Sequence, residues 1–236
     1  MQPISDMWLV VHVPKTAGTS FRKALEKYYG PTRVIRDYGK NAEATTKVVK
    51  DHLYNDAGSK PLDELIEVIS SSPAKVIVGH FPVRKYARYF RPENILTFVR
   101  EPLVRTCSEY LHRIRNASYE GSFSDFMAKS SIRNIQSRFL QDVPEESFIG
   151  VTEKYRETLA YINDAFQMRL TALKRNVDRK GGGHKFAENL SRDELELFGE
   201  LNKKDLALYK SATQRFDALD MPKTSGSRSI NWWKHK

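Results

Sequence analysis

Lysine, glycine and hydroxyl side chains crowd one short stretch of this chain. In Val10-Val11-His12-Val13-Pro14-Lys15-Thr16-Ala17-Gly18-Thr19-Ser20-Phe21 an apolar run breaks into a small, hydroxyl-rich loop and then into a helical pattern. Phe21, Ala24, Leu25 and Tyr28 recur at one-face helical spacing. Thr19 and Ser20 therefore fall near a helix start, where unpaired backbone N–H groups and the helix dipole favour an anion. Lys15 adds a full positive charge, and small Ala17 and Gly18 let the backbone approach a ligand. The hydroxyls of Thr16, Thr19 and Ser20 can donate to its oxygens. That chemistry is phosphate binding. A capped helix after a buried strand is the alternative for any one of these residues, and their combination is what favours the anion.

A magnesium-dependent P-loop would read GxxxxGK[ST], with the lysine directly before the hydroxyl that holds the metal. Here Lys15 comes early, after Pro14, and Gly18 is followed by Thr19, so phosphate binding survives while that version of phosphoryl transfer loses support. A second signal is Thr97-Phe98-Val99-Arg100-Glu101-Pro102, with Ser108 eight residues beyond Arg100. A guanidinium at the carboxyl end of a strand can hold a phosphate bidentately, and a serine about two helical turns along can add a hydroxyl. A surface turn and a routine helical serine are the alternatives. Arg105 is expected to pair with Glu101 or Glu109 as a structural charge.

Between the two lies Val78-Gly79-His80-Phe81-Pro82, which puts an imidazole just after a strand pattern. A neutral histidine there can accept a proton, or it can be a structural residue. His12 is expected to pack or to orient the loop, and His112 to lie on a helix surface. His52 and His235 carry no signal. No histidine or carboxylate cluster has ligand spacing, so no metal is expected.

The elements that must position these residues alternate. Strand patterns cover Trp8 to Val13, Val34-Ile35, Lys75 to Gly79, Asn94 to Val99 and Phe148 to Val151. Helical patterns follow the first loop as far as Gly30-Pro31, then cover Pro61 to Ile69, Leu103 to Ile114 and two pieces within Phe123 to Leu140. A further helix is expected behind a Thr152 cap, and a capped one from Ser191 to about Leu219, with an interruption. Lys40 to Ser59 reads as variable and partly helical. Three glycines, Gly181-Gly182-Gly183, predict an irregular loop from Arg175 to Lys185. This order predicts an α/β fold with a mainly parallel central sheet flanked by helices and ligands at the carboxyl ends of the strands.

At 236 residues the chain can bury a large core without disulfides or metals. Residues 1–223 are expected to form one domain, and 224–236 a basic, partly disordered tail with Trp232 and Trp233. The 39 Lys and Arg residues against 29 Asp and Glu give a net charge of +10, which favours anionic ligands without choosing among them. Cys107 is the only cysteine, which excludes an intramolecular disulfide and suits a reducing compartment. No stretch approaches the roughly 18 apolar residues of a membrane span, and the N-terminus lacks a signal pattern. A soluble, cytoplasmic protein is expected, unless the chain is a fragment that has lost an anchor.

Together, the loop and the Arg100 stretch resemble the sulfotransferase family that uses 3′-phosphoadenosine 5′-phosphosulfate (PAPS). Pro14 to Ser20 is similar to its 5′-phosphosulfate loop, and Arg100 with Ser108 to its 3′-phosphate pair. The resemblance implies a P-loop-like sulfotransferase fold, PAPS as donor, the bisphosphate PAP as product, no metal, and a hydroxyl-bearing acceptor. His80 matches the position of the base in 2-O-type carbohydrate sulfotransferases, which implies a glycan or glycolipid acceptor, with Lys15 assisting catalysis. Family counterparts of Asn134, Gln136 and Arg138 lie near the acceptor cleft, so Gln136 and Arg138 are implied to bind substrate. Lys185 is implied to reach the 3′-phosphate, although His184-Lys185-Phe186 departs from the more basic pattern of some relatives. No nucleic-acid partner is expected. Two rival readings are a nucleotide-dependent kinase with an atypical phosphate loop and a non-enzymatic module for polyanions.

Overall fold

Trp8–Val11 forms β1 at the centre of a five-stranded sheet in the order β2-β3-β1-β4-β5, with every pairing parallel. The other strands are β2 (Val34–Asp37), β3 (Val76–Gly79), β4 (Ile95–Val99) and β5 (Phe148–Val151). The structure, a computed structural model, describes residues 2–55, 58–172 and 182–220. The apolar run of β1 has the character of a strand covered on both faces, and it is. Leu9 and Val11 face one buried layer, with Leu65, Ile66 and Ile77. Val10 faces the other, with Phe21, Leu25 and Val78. The connections that follow β1 and β3 leave in opposite directions, which opens the carboxyl ends of these central strands to a ligand.

The helices cover the two faces. They are α1 (Gly18–Tyr29), α2 (Lys47–Leu53), α3 (Leu62–Ser70), α4 (Pro102–Ala117), α5 (Phe123–Ala128), α6 (Ile135–Phe139), α7 (Tyr155–Ala165), α8 (Gly182–Ala187), α9 (Arg192–Leu201) and α10 (Lys203–Asp217). Phe21, Ala24 and Leu25 of α1 are buried as their spacing predicts. In its last turn Tyr29 packs on the core instead of Tyr28, which is 40% exposed. A capping box at Ser191 and Glu194 starts α9, and Asn202 marks the interruption before α10.

Two local expectations fail. Thr152 does not cap a helix: it opens a 3₁₀ turn, Thr152–Lys154, its hydroxyl is buried without a partner, and α7 starts only at Tyr155. The glycine-rich stretch is helical from Gly182 because tertiary packing overrides propensity. Gly183 is buried against α4, where a Cβ would stand 3.1 Å from the Val104 carbonyl oxygen and 3.4 Å from Ser108 Cβ. Phe186 anchors the same helix with its ring 5.3 Å from both Tyr110 and Phe123. The rest of the expected loop, 175–181, and the tail at 224–236 lie outside the described residues.

Candidate active site

The loop between β1 and α1 is held in an unusual backbone form. Lys15 (φ 70°) and Ala17 (φ 63°) both occupy the left-handed region, which non-glycine residues seldom adopt, while Thr16 between them does not. Such alternation turns successive N–H groups toward one side, the geometry of an anion nest. The Thr16 hydroxyl donates to the Val13 carbonyl at 2.8 Å and so fastens the loop from within. Thr19 is exposed at the first turn of α1 and Ser20 is buried behind it. Gly18 meets His12: a Cβ there would lie 1.9 Å from His12 Cδ2. The missing side chain thus admits a buried imidazole, and His12 packs on the loop as expected.

Arg100 follows β4 directly and reaches that loop, its Nη1 donating to the Lys15 carbonyl at 3.2 Å. The two stretches singled out in the sequence therefore meet. Gln136, implied to touch substrate, is fully buried and holds Arg100 instead. Its Oε1 accepts from the Arg100 N–H at 2.8 Å, and its Nε2 donates to the Arg100 carbonyl at 2.9 Å. Gln136 is itself held by α10: its N–H donates to Asp205 at 3.1 Å, and Ser137 adds a backbone bond to the same carboxylate at 2.7 Å. Asn134 caps α10 through the N–H groups of Lys204 and Asp205. After Arg100, Glu101 caps α4 through Leu103 and Val104, and Pro102 sits at its first position. Ser108, two turns along, is half-buried under α8, whose Lys185 is exposed.

His80 stands one residue beyond β3. Its ring lies 4.4 Å from that of His12 and 4.7 Å from that of Tyr38, both edge-on, and Tyr38 shares a 3.0 Å hydrogen bond with His12 Nδ1. The His80 pKa is pushed down to about 4, by desolvation first; Glu109 opposes the shift, and Lys15 and Arg22 add to it. Because His80 is also exposed, water tempers the depression, and the firm consequence is a neutral imidazole at pH 7. Burial also lowers the Lys15 pKa; Glu109 opposes this, while Arg115, Arg100 and Arg105 reinforce it.

Other expected residues lie elsewhere. Arg138 is exposed and donates to the carbonyls of Ser130 and Ser131. Arg105 makes no ion pair with Glu101 or Glu109 among the described residues. It is 1% exposed on the inner side of α4, with Nη2 donating to Thr106 and Nε lacking a partner. Burial pushes its pKa down to about 10, opposed by the charges of Asp205 and Glu109. Sequence reasoning missed Tyr38 and Glu109 as neighbours of the histidine. Their signal was positional: Val34 pairs with Val76 and Asp37 with Gly79, which sets Tyr38 beside His80. Among the described residues no group of His, Cys, Asp or Glu side chains is arranged to hold a metal ion, and no helix is long and apolar enough to cross a membrane.

The likeness to solved structures is distant. A sulfotransferase from Alicyclobacillus acidocaldarius has 15% identity and a TM-score of 0.46, covering 89% of this chain and 99% of its own. A retinol dehydratase crystallised with androsterone and inactive cofactor PAP has 12% identity and a TM-score of 0.43, covering 95% and 84%. Another retinol dehydratase structure, with retinol and PAP, has 15% identity and a TM-score of 0.35, covering 88% and 70%. No curated protein matches the sequence. Residues 6–180 match the model of the sulfotransferase family, and the chain belongs to that family of PAPS-dependent enzymes.

Proposed function

We propose that this enzyme transfers a sulfuryl group from PAPS to a hydroxyl of a carbohydrate or glycosylated acceptor, with His80 as general base. The observation that carries the reading is the bond from Arg100 to the Lys15 carbonyl, which joins two anion-seeking elements into one cradle. The residues present fit a doubly phosphorylated nucleotide: a left-handed nest with Lys15 for one anion, and Arg100, Ser108 and exposed Lys185 for the other. Bound there, PAPS supplies the sulfuryl group and leaves as PAP.

His80 takes the proton of the acceptor hydroxyl as the acceptor oxygen bonds to sulfur and the sulfur–oxygen bond to the 5′-phosphate breaks. Its neutral form at pH 7 suits that work. Lys15 and the N–H groups of Ala17, Gly18 and Thr19 face the charge that builds on the departing phosphate, with Thr16 and Ser20 shaping the loop. Acceptor contact by Arg138 is proposed on the family resemblance alone, since its guanidinium donates to the Ser130 and Ser131 carbonyls. A glycan or glycolipid acceptor is favoured by the family resemblance of His80. The same reading puts the enzyme in the cytoplasm, in keeping with its one buried cysteine.

The test is kinetic. With labelled donor and a panel of glycans, glycolipids and phenols, His80→Ala should lose about 10²- to 10⁴-fold in turnover while binding PAP as the unaltered enzyme does. Equal turnover in His80→Ala would sink the base assignment. Tighter binding of magnesium-ATP than of PAP in calorimetry would sink the nucleotide assignment.

A further inference from the structure

We infer that Tyr38 is a positioning residue for His80: its ring and that of His12, hydrogen-bonded to each other, form a corner that clamps the imidazole edge-on from one side, where the chain leaves the carboxyl ends of β2, β3 and β1 in a row. The inference rests on His80 being the base. The row follows from strand register, because Asp37 and Val11 both pair with Gly79, so the next residues, Tyr38, His80 and His12, emerge side by side. Parallel register also puts them on one face of the sheet, the face covered by α1. There the three rings form a triangle in which each meets the other two, with centroids 4.7 Å apart for Tyr38 and His80, 4.4 Å for His80 and His12, and 5.7 Å for His12 and Tyr38.

The clamp is itself braced on every side. Tyr38 is bonded to His12 Nδ1 at 3.0 Å, its main-chain N–H donates to the Thr45 hydroxyl at 3.0 Å, and the Arg22 guanidinium lies 5.8 Å from its ring centre. His12 is wedged against Gly18. The His80 main chain is pinned by its N–H donating to the Asp37 carbonyl at 2.9 Å. An exposed imidazole on a free strand end would sample several rotamers, and only some would point a ring nitrogen at an acceptor oxygen. Two edge-on rings remove that freedom before substrate arrives. They cover one side of the imidazole and leave the exposed side open to an acceptor. The charged and titratable groups around it are Glu109 from α4, Lys15 from the loop, Arg22 from α1, and His12 and Tyr38 themselves.

The experiment uses the full chain with nitrogen-15-labelled histidine. His80 titration is followed by NMR, and kcat and KM are measured across pH, for the unaltered enzyme, Tyr38→Leu, Tyr38→Phe and His80→Ala. In Tyr38→Leu one flank opens to water, so His80 should titrate closer to the ordinary value near 6.5. The acid limb of kcat should move to higher pH with it, and kcat should fall on the order of 10- to 100-fold with little change in acceptor KM. Tyr38→Phe keeps the ring, so His80 should titrate as before while the His12 nitrogen signals move for want of the phenol.

An unmoved His80 titration in Tyr38→Leu, or an equal displacement in Tyr38→Phe, overturns the clamp. Should Tyr38→Leu fail to fold, the unaltered enzyme still decides, because the absence of cross-ring nuclear Overhauser contacts from His80 to Tyr38 and His12 overturns the clamp as well. An active His80→Ala refutes the base while leaving the NMR comparison to judge the clamp, so the two failures are distinguishable.

Discussion

Replacing Gln136 by leucine removes both bonds that hold the Arg100 main chain, at 2.8 and 2.9 Å, with little change in volume. A buried polar group left without a partner costs about 1–3 kcal/mol, so the two freed groups set a ceiling of about 2–6 kcal/mol. Arg100 is only half-buried, and its peptide groups can turn toward water. The expected loss is therefore about 2–3 kcal/mol, seen as a fall of about 4–12 °C in melting temperature for a chain of this size. The same turn draws the guanidinium away from the Lys15 carbonyl and out of the cradle. Loss of a hydrogen bond to a charged group is worth about 1.5–3 kcal/mol, so PAP should bind about 10- to 150-fold more weakly. Calorimetry with PAP, differential scanning of the free protein, and acceptor KM at saturating donor separate the effects. Unchanged PAP affinity with a raised acceptor KM would refute this reasoning and return Gln136 to the acceptor contact that the family resemblance implied.

Gly79→Ala should cost about 3 kcal/mol, because its Cβ would stand 1.7 Å from the Asp37 carbonyl oxygen, a main-chain atom that can yield only by breaking the β2–β3 register beside His80. Denaturant unfolding measures it, and a loss no larger than that of an exposed-site control rules the clash out. Asp37 gives a pH signature. Burial raises its carboxyl pKa, while bonds from Lys85, Tyr54 and Tyr86 lower it further, leaving it below the ordinary range. A depressed folded pKa contributes stability above the unfolded value near 3.9, and this is lost as pH falls through the lower folded value. The stability gap between the unaltered protein and Asp37→Asn should accordingly be full at neutral pH and shrink below about pH 4. A gap that stays constant with pH contradicts the ion-paired role.

Much of this fold was legible because four of the five strands are short, mostly apolar runs, whereas β2, Val34-Ile35-Arg36-Asp37, was legible only in its first half. Gly79 and Arg100 each mark the point where a buried strand gives way to a polar end. The cradle was legible for the same reason: Lys15, Gly18 and Arg100 lie next to strands whose neighbours follow from alternation. What escaped depended on partners far along the chain. Gln136 looks like a polar helix residue until Arg100 is folded against it, 36 residues away. Arg105 reads as a structural partner of Glu101 or Glu109 along its own helix, yet the turn of α4 carries it inward, where the charge of Asp205 acts on it. Gly182 and Gly183 argue against a helix until α4 supplies a surface that a side chain at position 183 would crowd.

Asn134 and Asp205 cap each other's helices, and this reciprocity ties the seat of Arg100 to the order in which the chain is made. The family match stops at residue 180, but the carboxylate that seats Gln136 under Arg100 comes from α10, the last described helix to leave the ribosome. A nascent chain that already has all five strands and every cradle residue up to Ser108 still lacks the fastening of its arginine. On the proposed assignment, the fastening of Arg100 is complete only once α10 has docked, so its share of the nucleotide grip belongs to the finished chain and not to its first 180 residues.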